Sequence, residues 1–515
     1  MRKELRAILP MVALLGVIVP CLAQKSKDTL RLPYADSSQG ISYYLDPKPE
    51  TVYASDAVFD GLIAWDESKQ TFAPLLAKAW RRVDPVTLEF DLRDDVKWHD
   101  GQPFTADDVV HTIEYLTNPA SKLRFAHFWA FIKSAEKLGT HKVRIVTKEP
   151  TPYDLAQIAF QTVILPAHAH GTAPDKVLFS QKPVGTGMYR LASFDQKTGI
   201  VLERNPDYRH GGSAKPPSNI GRIAIRSIPE ASTRIAEFMA GNLDILPTQI
   251  PIDLVENLIK MPGVELAATA GNGNIYLALD AKGRSGQKAL TDIRVRRAIM
   301  MAVDREALSR TIAGTSPSIE RPQAMCWRFQ TGCDYAAALP KYDPDAARKL
   351  LAEAGYPNGF RSNITTFAGE NYATVAQALS GQLRRIGIVA DVESMPIGAY
   401  RQKQSNGKVE IFSSPWPGGG MPDVAQTLGF LYTPQPSTDY HGDEELKALA
   451  MRALKAMDPE ERKNLGRQIF DMATERAYFM PLTPFPVLTV HRSELSVRLS
   501  RVSTYPAMAS AINWK

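Results

Sequence analysis

Residues 72–114, FAPLLAKAWRRVDPVTLEFDLRDDVKWHDGQPFTADDVVHTIE, decide how the rest of the chain is read. Within them TLEFDL (Thr87–Leu92) alternates apolar and charged side chains, the period of a half-buried strand. Val96 and Trp98 form a second short alternation, and Asp100-Gly101 supplies a turn. Thr105 then precedes Ala106-Asp107-Asp108. A hydroxyl followed three residues later by a carboxylate is a capping-box pattern for a helix start. Val109, Val110 and Ile113 give that helix its apolar stripe. No residue here has to be catalytic; the stretch reads as a sheet-plus-helix packing unit.

Its motifs also carry a resemblance. The order P-L-L-A-x-x-W, T-L-E-F-x-L-R, then V-K-W-H-D-G-x-P-F-T-A-D-D-V-V resembles the large-ligand solute-binding proteins of bacterial ABC importers, extracellular solute-binding protein family 5. PVGTGMY (183–189), LERNPDY (202–208), FMAGNLDI (238–245), DIRVRRAIMMAVDREAL (292–308) and DPDAARKLLAEAG (343–355) follow in the family's order. The resemblance runs from about residue 30 to the C-terminus. It implies an α/β, two-lobed periplasmic-binding-protein fold, of the class with an extra inserted subdomain, whose lobes are joined by two crossover strands. Residues 24–51, 184–280 and 481–515 would form a discontinuous first lobe, 52–183 the inserted subdomain, and 281–480 the second lobe. The crossovers would fall near 279–286 and near 480. The implied activity is capture of a solute in the interlobe cleft by hinge closure and delivery to an inner-membrane ABC permease. Members carry oligopeptides, dipeptides, nickel chelates, haem and some sugar or opine conjugates. A peptide or peptide-like solute is expected, with a metal chelate or an opine or sugar conjugate as the alternative and a secreted hydrolase as the weaker one. The implied protein is a monomer that is not an enzyme and uses no cofactor.

Bulk properties agree with an exported soluble receptor. The 515 residues suffice for two or three domains. The formal net charge is +6; Arg2, Lys3, Arg6 and Glu4 contribute +2 of it, leaving +4 beyond residue 23. That charge is mild and no basic run of five occurs, so nucleic acid is not an expected partner. Residues 1–23 read as a secretory signal: MRKELR is a basic start, residues 7–20 are apolar but too short to span a bilayer, and Cys21-Leu22-Ala23 offers a small-residue cleavage site. Periplasmic localisation follows. Cys21 would allow a lipid anchor, but Pro20 occupies the place where Gly, Ala or Ser is wanted. Past the signal only Cys326 and Cys333 remain. A pair in an oxidising compartment suggests a disulfide. A metal pair would need further ligands that CWRFQTGC does not offer.

Along the chain, TLRLPY (Thr29–Tyr34) reads as a strand and 52–63 as a helix. Residues 189–192 and 200–204 read as a hairpin. RIAIRSI (222–228), a helix over 231–240 and a strand over 243–246 give a βαβ order. Asp292 and Asp343-Pro344 start helices. Residues 363–367, 374–386 and 388–393 form a second βαβ order. Asp458-Pro459 with Glu461 opens a helix that ends near Arg476, and 479–490 is an extended return toward the first lobe.

Catalytic patterns are lacking: there is no G-x-S-x-G, no H-E-x-x-H and no G-x-x-x-x-G-K-[ST]. His168-Ala-His170 is the one close histidine pair, bracketed by Pro166 and Gly171, and reads as a solvated loop. IFSSPWPGGG (411–420) is the best binding candidate. Trp416 offers a planar surface between two prolines, and Gly418 and Gly419 let a ligand backbone approach closely. In peptide-binding relatives this segment pairs with an extended ligand, and an aspartate three residues after the Trp fixes the α-ammonium. Here that position is Gly419, and the arginine expected three residues before the Trp is Ser413. Asp423 is the nearest replacement. Ser414 completes the second-lobe candidates; Tyr34 and Ser38, at a strand end, are those of the first lobe, with Asn274 and Tyr276 on the strand near the crossover. Arg401 reads as a solvated helix residue.

Overall fold

The computed structural model describes residues 28–247, 250, 252–314, 319–502 and 507–515. The expected signal, residues 1–23 with Cys21, lies outside them. No helix among the described residues is long and apolar enough to cross a membrane.

The opening motif folds as its pattern dictates. Thr87–Leu92 lies inside a four-stranded antiparallel sheet, between Ala77–Asp84 and Lys142–Thr147. Thr105 caps helix Ala106–Thr117 through a complete capping box with Asp108. Asp108 is itself buried and accepts from the Trp98 indole at 3.2 Å, which ties the turn to the helix. Val109 and Ile113 enter a large core shared by this unit and the sheet Thr29–Tyr34, Arg222–Ser227, Gly199–Arg204, Tyr189–Asp195.

Two expectations change. The first helix is Pro49–Val58, earlier than 52–63, because proline fits its first turn and Phe59 turns extended before Gly61. The 51/52 boundary therefore falls inside one helix. The 222–246 segment is not a closed βαβ unit. Arg222–Ser227 pairs in parallel with Thr29–Tyr34, whereas Ile245–Leu246 pairs antiparallel with Phe479–Arg492 in another sheet. The second βαβ order is present: Phe360–Phe367 and Ile388–Met395 are parallel, with helix Glu370–Arg384 between them.

The architecture turns on two long strands, Val264–Leu279 and Phe479–Arg492, paired antiparallel along their length. They sit in a six-stranded sheet ordered Ile245–Leu246, Phe479–Arg492, Val264–Leu279, Ile411–Trp416, Phe360–Phe367, Ile388–Met395. At one end they border the core that holds Phe238 and Leu243; at the other they run into the second lobe. Their register breaks twice near the junction: Ile275 pairs with Thr483 but Tyr276 with Pro481, and Ala270 pairs with Pro486 but Asn274 with Pro484. Residues 271–273 thus oppose Phe485 alone, a bulge that bends the pair. Past the bulge alternation sends Ile275, Leu277 and Leu279 into one core and Tyr276 and Ala278 into another, so the sheet is buried on both faces.

Candidate functional site between the lobes

The site forms where Ile411–Trp416 ends beside the bulge. That strand pairs antiparallel with 274–279, from Asn274 opposite Trp416 to Leu279 opposite Ile411. Its other edge pairs in parallel with Phe360–Phe367 only at Ile411 and Phe412. Among the described residues, 413–416 therefore have a strand neighbour on one side only.

Alternation puts Asn274, Tyr276, Ser414 and Trp416 on one face. Trp416 is 8% exposed. Its ring stacks on Phe430 at 5.1 Å and 15°, and its Nε1 donates to Thr427 Oγ1 at 3.0 Å. Arg401 lies over the Phe430 ring at 5.1 Å. The Ser414 and Tyr400 hydroxyls bond to each other. Tyr276 is buried against Phe479; burial drives its hydroxyl well above the ordinary tyrosine range, and Arg401 partly opposes this. Asn274 is 1% exposed, and its Oδ1 has no hydrogen-bond donor among the described residues. A buried acceptor left in this state costs about 1–3 kcal/mol.

Gly418–Gly420 makes a single tight turn, with Gly419 at its centre. Gly418 has φ +70°, and a Cβ there would lie 2.3 Å from the Asn272 carbonyl oxygen, so only glycine fits. Asn272, within the bulge, donates through Nδ2 to the carbonyls of Gly418 at 3.2 Å and Met421 at 3.3 Å. Its own carbonyl accepts from the Trp327 indole at 3.0 Å. Trp327 belongs to the loop closed by the Cys326–Cys333 disulfide, whose Cα atoms are 5.8 Å apart. One residue of the bulge thus clamps both the glycine turn and the disulfide loop.

Asp423 departs from expectation. Both its oxygens accept from Arg462, at 2.6 and 2.5 Å, with both side chains buried. Burial works against the Arg462 charge, and Asp423 outweighs it, so the guanidinium is held above its ordinary range. The carboxylate nearest the missing aspartate at Gly419 is committed inside the lobe. Sequence reading also missed Asn272, Thr427 and Phe430. Arg462 sits in PEERKNLGR, which reads as a solvated helix face and gives no signal of a buried partner.

On the first lobe, Tyr34 ends its strand and packs near Tyr53, ring centroids 6.2 Å apart. Ser38 is buried in a turn: Oγ donates to the Gly40 carbonyl at 2.5 Å and accepts from its N–H at 3.1 Å. Both line a small cavity with Asp36 and Glu50. The histidine pair lies elsewhere, in one helical turn, Ala167–Gly171. His170 Nδ1 is 2.9 Å from His111 Nε2, and His168 meets Asp100 at 2.7 Å. Among the described residues ion pairs cross between the lobes at two rims, Lys455 with Glu149 at 2.6 Å and Arg501 with Glu320 at 3.0 Å, beside Phe329, and helix Ile252–Leu258 also packs against Arg305–Ala313.

Two lobes joined by a bulged pair of continuous strands, with an open strand edge and an unsatisfied acceptor at their junction, define a solute receptor. Residues 71–439 match the family described as bacterial extracellular solute-binding proteins, family 5 Middle. The chain belongs to that family, is the solute-binding component of an ABC importer, and is not an enzyme. It is 25% identical to heme-binding protein A of Haemophilus influenzae, covering 93% of this chain and 94% of the relative. It is 26% identical to the glutathione-binding protein GsiB of Escherichia coli K12, covering 88% and 89%. Its fold is similar to that of the periplasmic binding protein DppA of Helicobacter pylori in complex with the peptide STSA. There the TM-score is 0.73 at 23% identity, covering 94% and 98%. Members of the family are extracellular or periplasmic and hand their ligands to ABC permeases.

Proposed function

We propose that the solute is a peptide or peptide-like molecule held extended between the lobes, with its backbone added to the open edge of residues 413–416. The observation that carries this reading is the one-sided pairing of that strand. An extended ligand supplies the N–H groups that such an edge and Asn274 Oδ1 lack. Trp416 and Ser414 bound it on the second lobe and Tyr276 on the crossover strand, beside the Gly418–Gly420 turn. Tyr34 and Ser38 face it from the first. Asp423 takes no part, being tied to Arg462. The named ligands of the relatives, haem for one and the tripeptide-like glutathione for another, mark the range of alternatives.

In this reading the mature chain is a periplasmic monomer released from its signal. Residues 24–51, 184–280 and 481–515 act as one lobe, 52–183 as its inserted subdomain and 281–480 as the other. Contacts from both are needed, because closure costs free energy that only a bridging ligand returns.

A thermal-shift screen with di- to tetrapeptides and glutathione tests the ligand class. A peptide at 100 times its Kd adds about 2.7 kcal/mol to the native state and raises Tm accordingly. The reading fails if no peptide shifts Tm while the solute released from denatured native protein, identified by mass spectrometry, contains no amide backbone.

A further inference from the structure

A cavity of about 700 Å3 lies outside the interlobe site, within the size range of small-molecule pockets. Its place in the fold is remote from Tyr34. In the hairpin over 189–204, Asp195 pairs with Gly199 at the end of the sheet where Tyr34 pairs with Ser227. Tyr189 pairs with Arg204 at the opposite end, and the cavity opens there. The strand Ile512–Trp514 closes one side. The Asn219 N–H donates to Asn513 Oδ1, Asn219 Nδ2 donates to the Trp514 carbonyl, and Asn219 Oδ1 accepts from the Trp514 N–H, each at 2.8 Å. Ser218 Oγ donates to the Ile512 carbonyl at 2.7 Å. These bonds fix the wall before any ligand arrives.

The same bonds engage the side-chain acceptors. Asn205 Oδ1 is likewise taken, by the Asp207 N–H at 3.2 Å, and the Tyr189 hydroxyl donates inward to the Ile220 carbonyl at 2.8 Å. The groups left over are donors. Among the described residues the Arg204 side chain has no hydrogen bond and no ion pair. Arg209 gives one Nη1 hydrogen to the Tyr208 carbonyl at 2.8 Å and keeps the rest of its fork. Asn513 Nδ2 is also unused. The carboxylates nearby do not neutralise the two cations. Glu203 leans toward Arg190 at 3.9 Å, Asp60 is tied inside to Lys215 at 2.9 Å, and Asp28 and Asp207 pair with neither arginine. Buried Met188 backs the cavity and exposed Pro206 and Pro217 flank it, which gives it apolar surface between the charges. An inorganic anion would leave most of that volume to water. An organic anion fills it.

We propose that this cavity binds a small organic diacid, with one acid group on Arg204, the other on Arg209, and the hydrocarbon body against Met188, Pro206 and Pro217. A guanidinium fork matches a carboxylate through two parallel hydrogen bonds, which is the geometry these side chains are free to offer. The site goes beyond the interlobe reading: it lies at the far end of the first lobe, so a peptide and a diacid occupy the chain together.

Succinate, adipate and suberate are the probes, titrated by calorimetry at constant ionic strength. Hexanoate, hexane-1,6-diol and inorganic phosphate are the comparisons. At least one diacid is expected to bind about tenfold more tightly than hexanoate or phosphate, and the diol is expected not to bind. Arg204→Gln with Arg209→Gln should weaken that diacid about a hundredfold and leave the Tm of unliganded protein unchanged, since both side chains are exposed and neither holds an ion pair. Arg204→Lys with Arg209→Lys keeps the charge, loses the fork and should recover only part of the affinity. No binding by any diacid, equal binding of hexanoate, the diol or phosphate, or equal binding by the double glutamine variant overturns the proposal. Competition between the diacid and a screened peptide also overturns it, by placing the diacid in the interlobe cleft. If no peptide binds, the peptide reading falls while the diacid titration still decides this site.

Discussion

Asp423 and Arg462 show how far single residues speak from sequence. Trp416 between prolines and before three glycines announces a special loop, because no ordinary strand or helix needs that composition. Its burial on Phe430 was not legible: the partner lies fourteen residues on, in a segment with no pattern of its own. The same holds for Arg462, whose neighbours are charged and helical. Their burial sets opposite expectations for variants. Arg462→Ala leaves Asp423 buried without a partner and should cost about 3–5 kcal/mol in urea unfolding. Replacing both by apolar residues, Asp423→Leu with Arg462→Met, should recover most of that loss. If Arg462→Ala keeps full stability, the pair is not structural and Asp423 returns as a candidate ligand contact. Trp416→Ala would empty the stack and cost about 3–5 kcal/mol, so it cannot isolate binding. Trp416→Phe keeps an aromatic ring on Phe430 but loses the bond to Thr427 and leaves a smaller cavity than alanine would. It should cost less stability than Trp416→Ala, and a tenfold fall in peptide affinity measured on folded variant then belongs to the indole itself.

Elements were legible where local periodicity and capping agree. The capping box at Thr105, the hairpin over 189–204 and the parallel pair around helix Glu370–Arg384 follow from sequence because each is closed by near neighbours. Pairing over long separations was not. Ile245–Leu246 joins a strand more than 230 residues away, and nothing in LDIL specifies that. The bulge at 271–273 is likewise silent, yet it organises the site. Asn272→Ala removes the clamp on Gly418 and Met421 while leaving the strand pairing. Peptide affinity is expected to fall about tenfold with a Tm loss of only a few degrees; unchanged affinity would mean the glycine turn holds itself. The disulfide loop gives an independent test of the same junction. Opening the Cys326–Cys333 ring should cost about 2.5 kcal/mol in the chain-entropy model. It should also weaken peptide binding, since Trp327 holds the bulge from that loop. Cys326→Ser with Cys333→Ser, compared with wild type under reductant, checks both effects.

At the scale of the whole molecule the relevant quantity is the balance between open and closed lobes. The two rim pairs, Lys455–Glu149 and Arg501–Glu320, cross between the lobes, and all four side chains are about half exposed. Exposed pairs of this kind are worth at most about 1 kcal/mol each. They cannot close the molecule alone, but they bias an equilibrium that a ligand then completes. Losing both should shift the closed population by up to about thirtyfold, and the apparent Kd for a bridging peptide rises by the same factor. The double variant Lys455→Ala, Arg501→Ala should therefore bind a screened peptide more weakly at low salt. At 1 M salt the Debye length is about 3 Å, so wild type and variant should converge. That convergence separates a rim bias from damage to the binding site, which salt would not erase. An affinity equal to wild type at low salt would show that closure is set by the bulged strands alone.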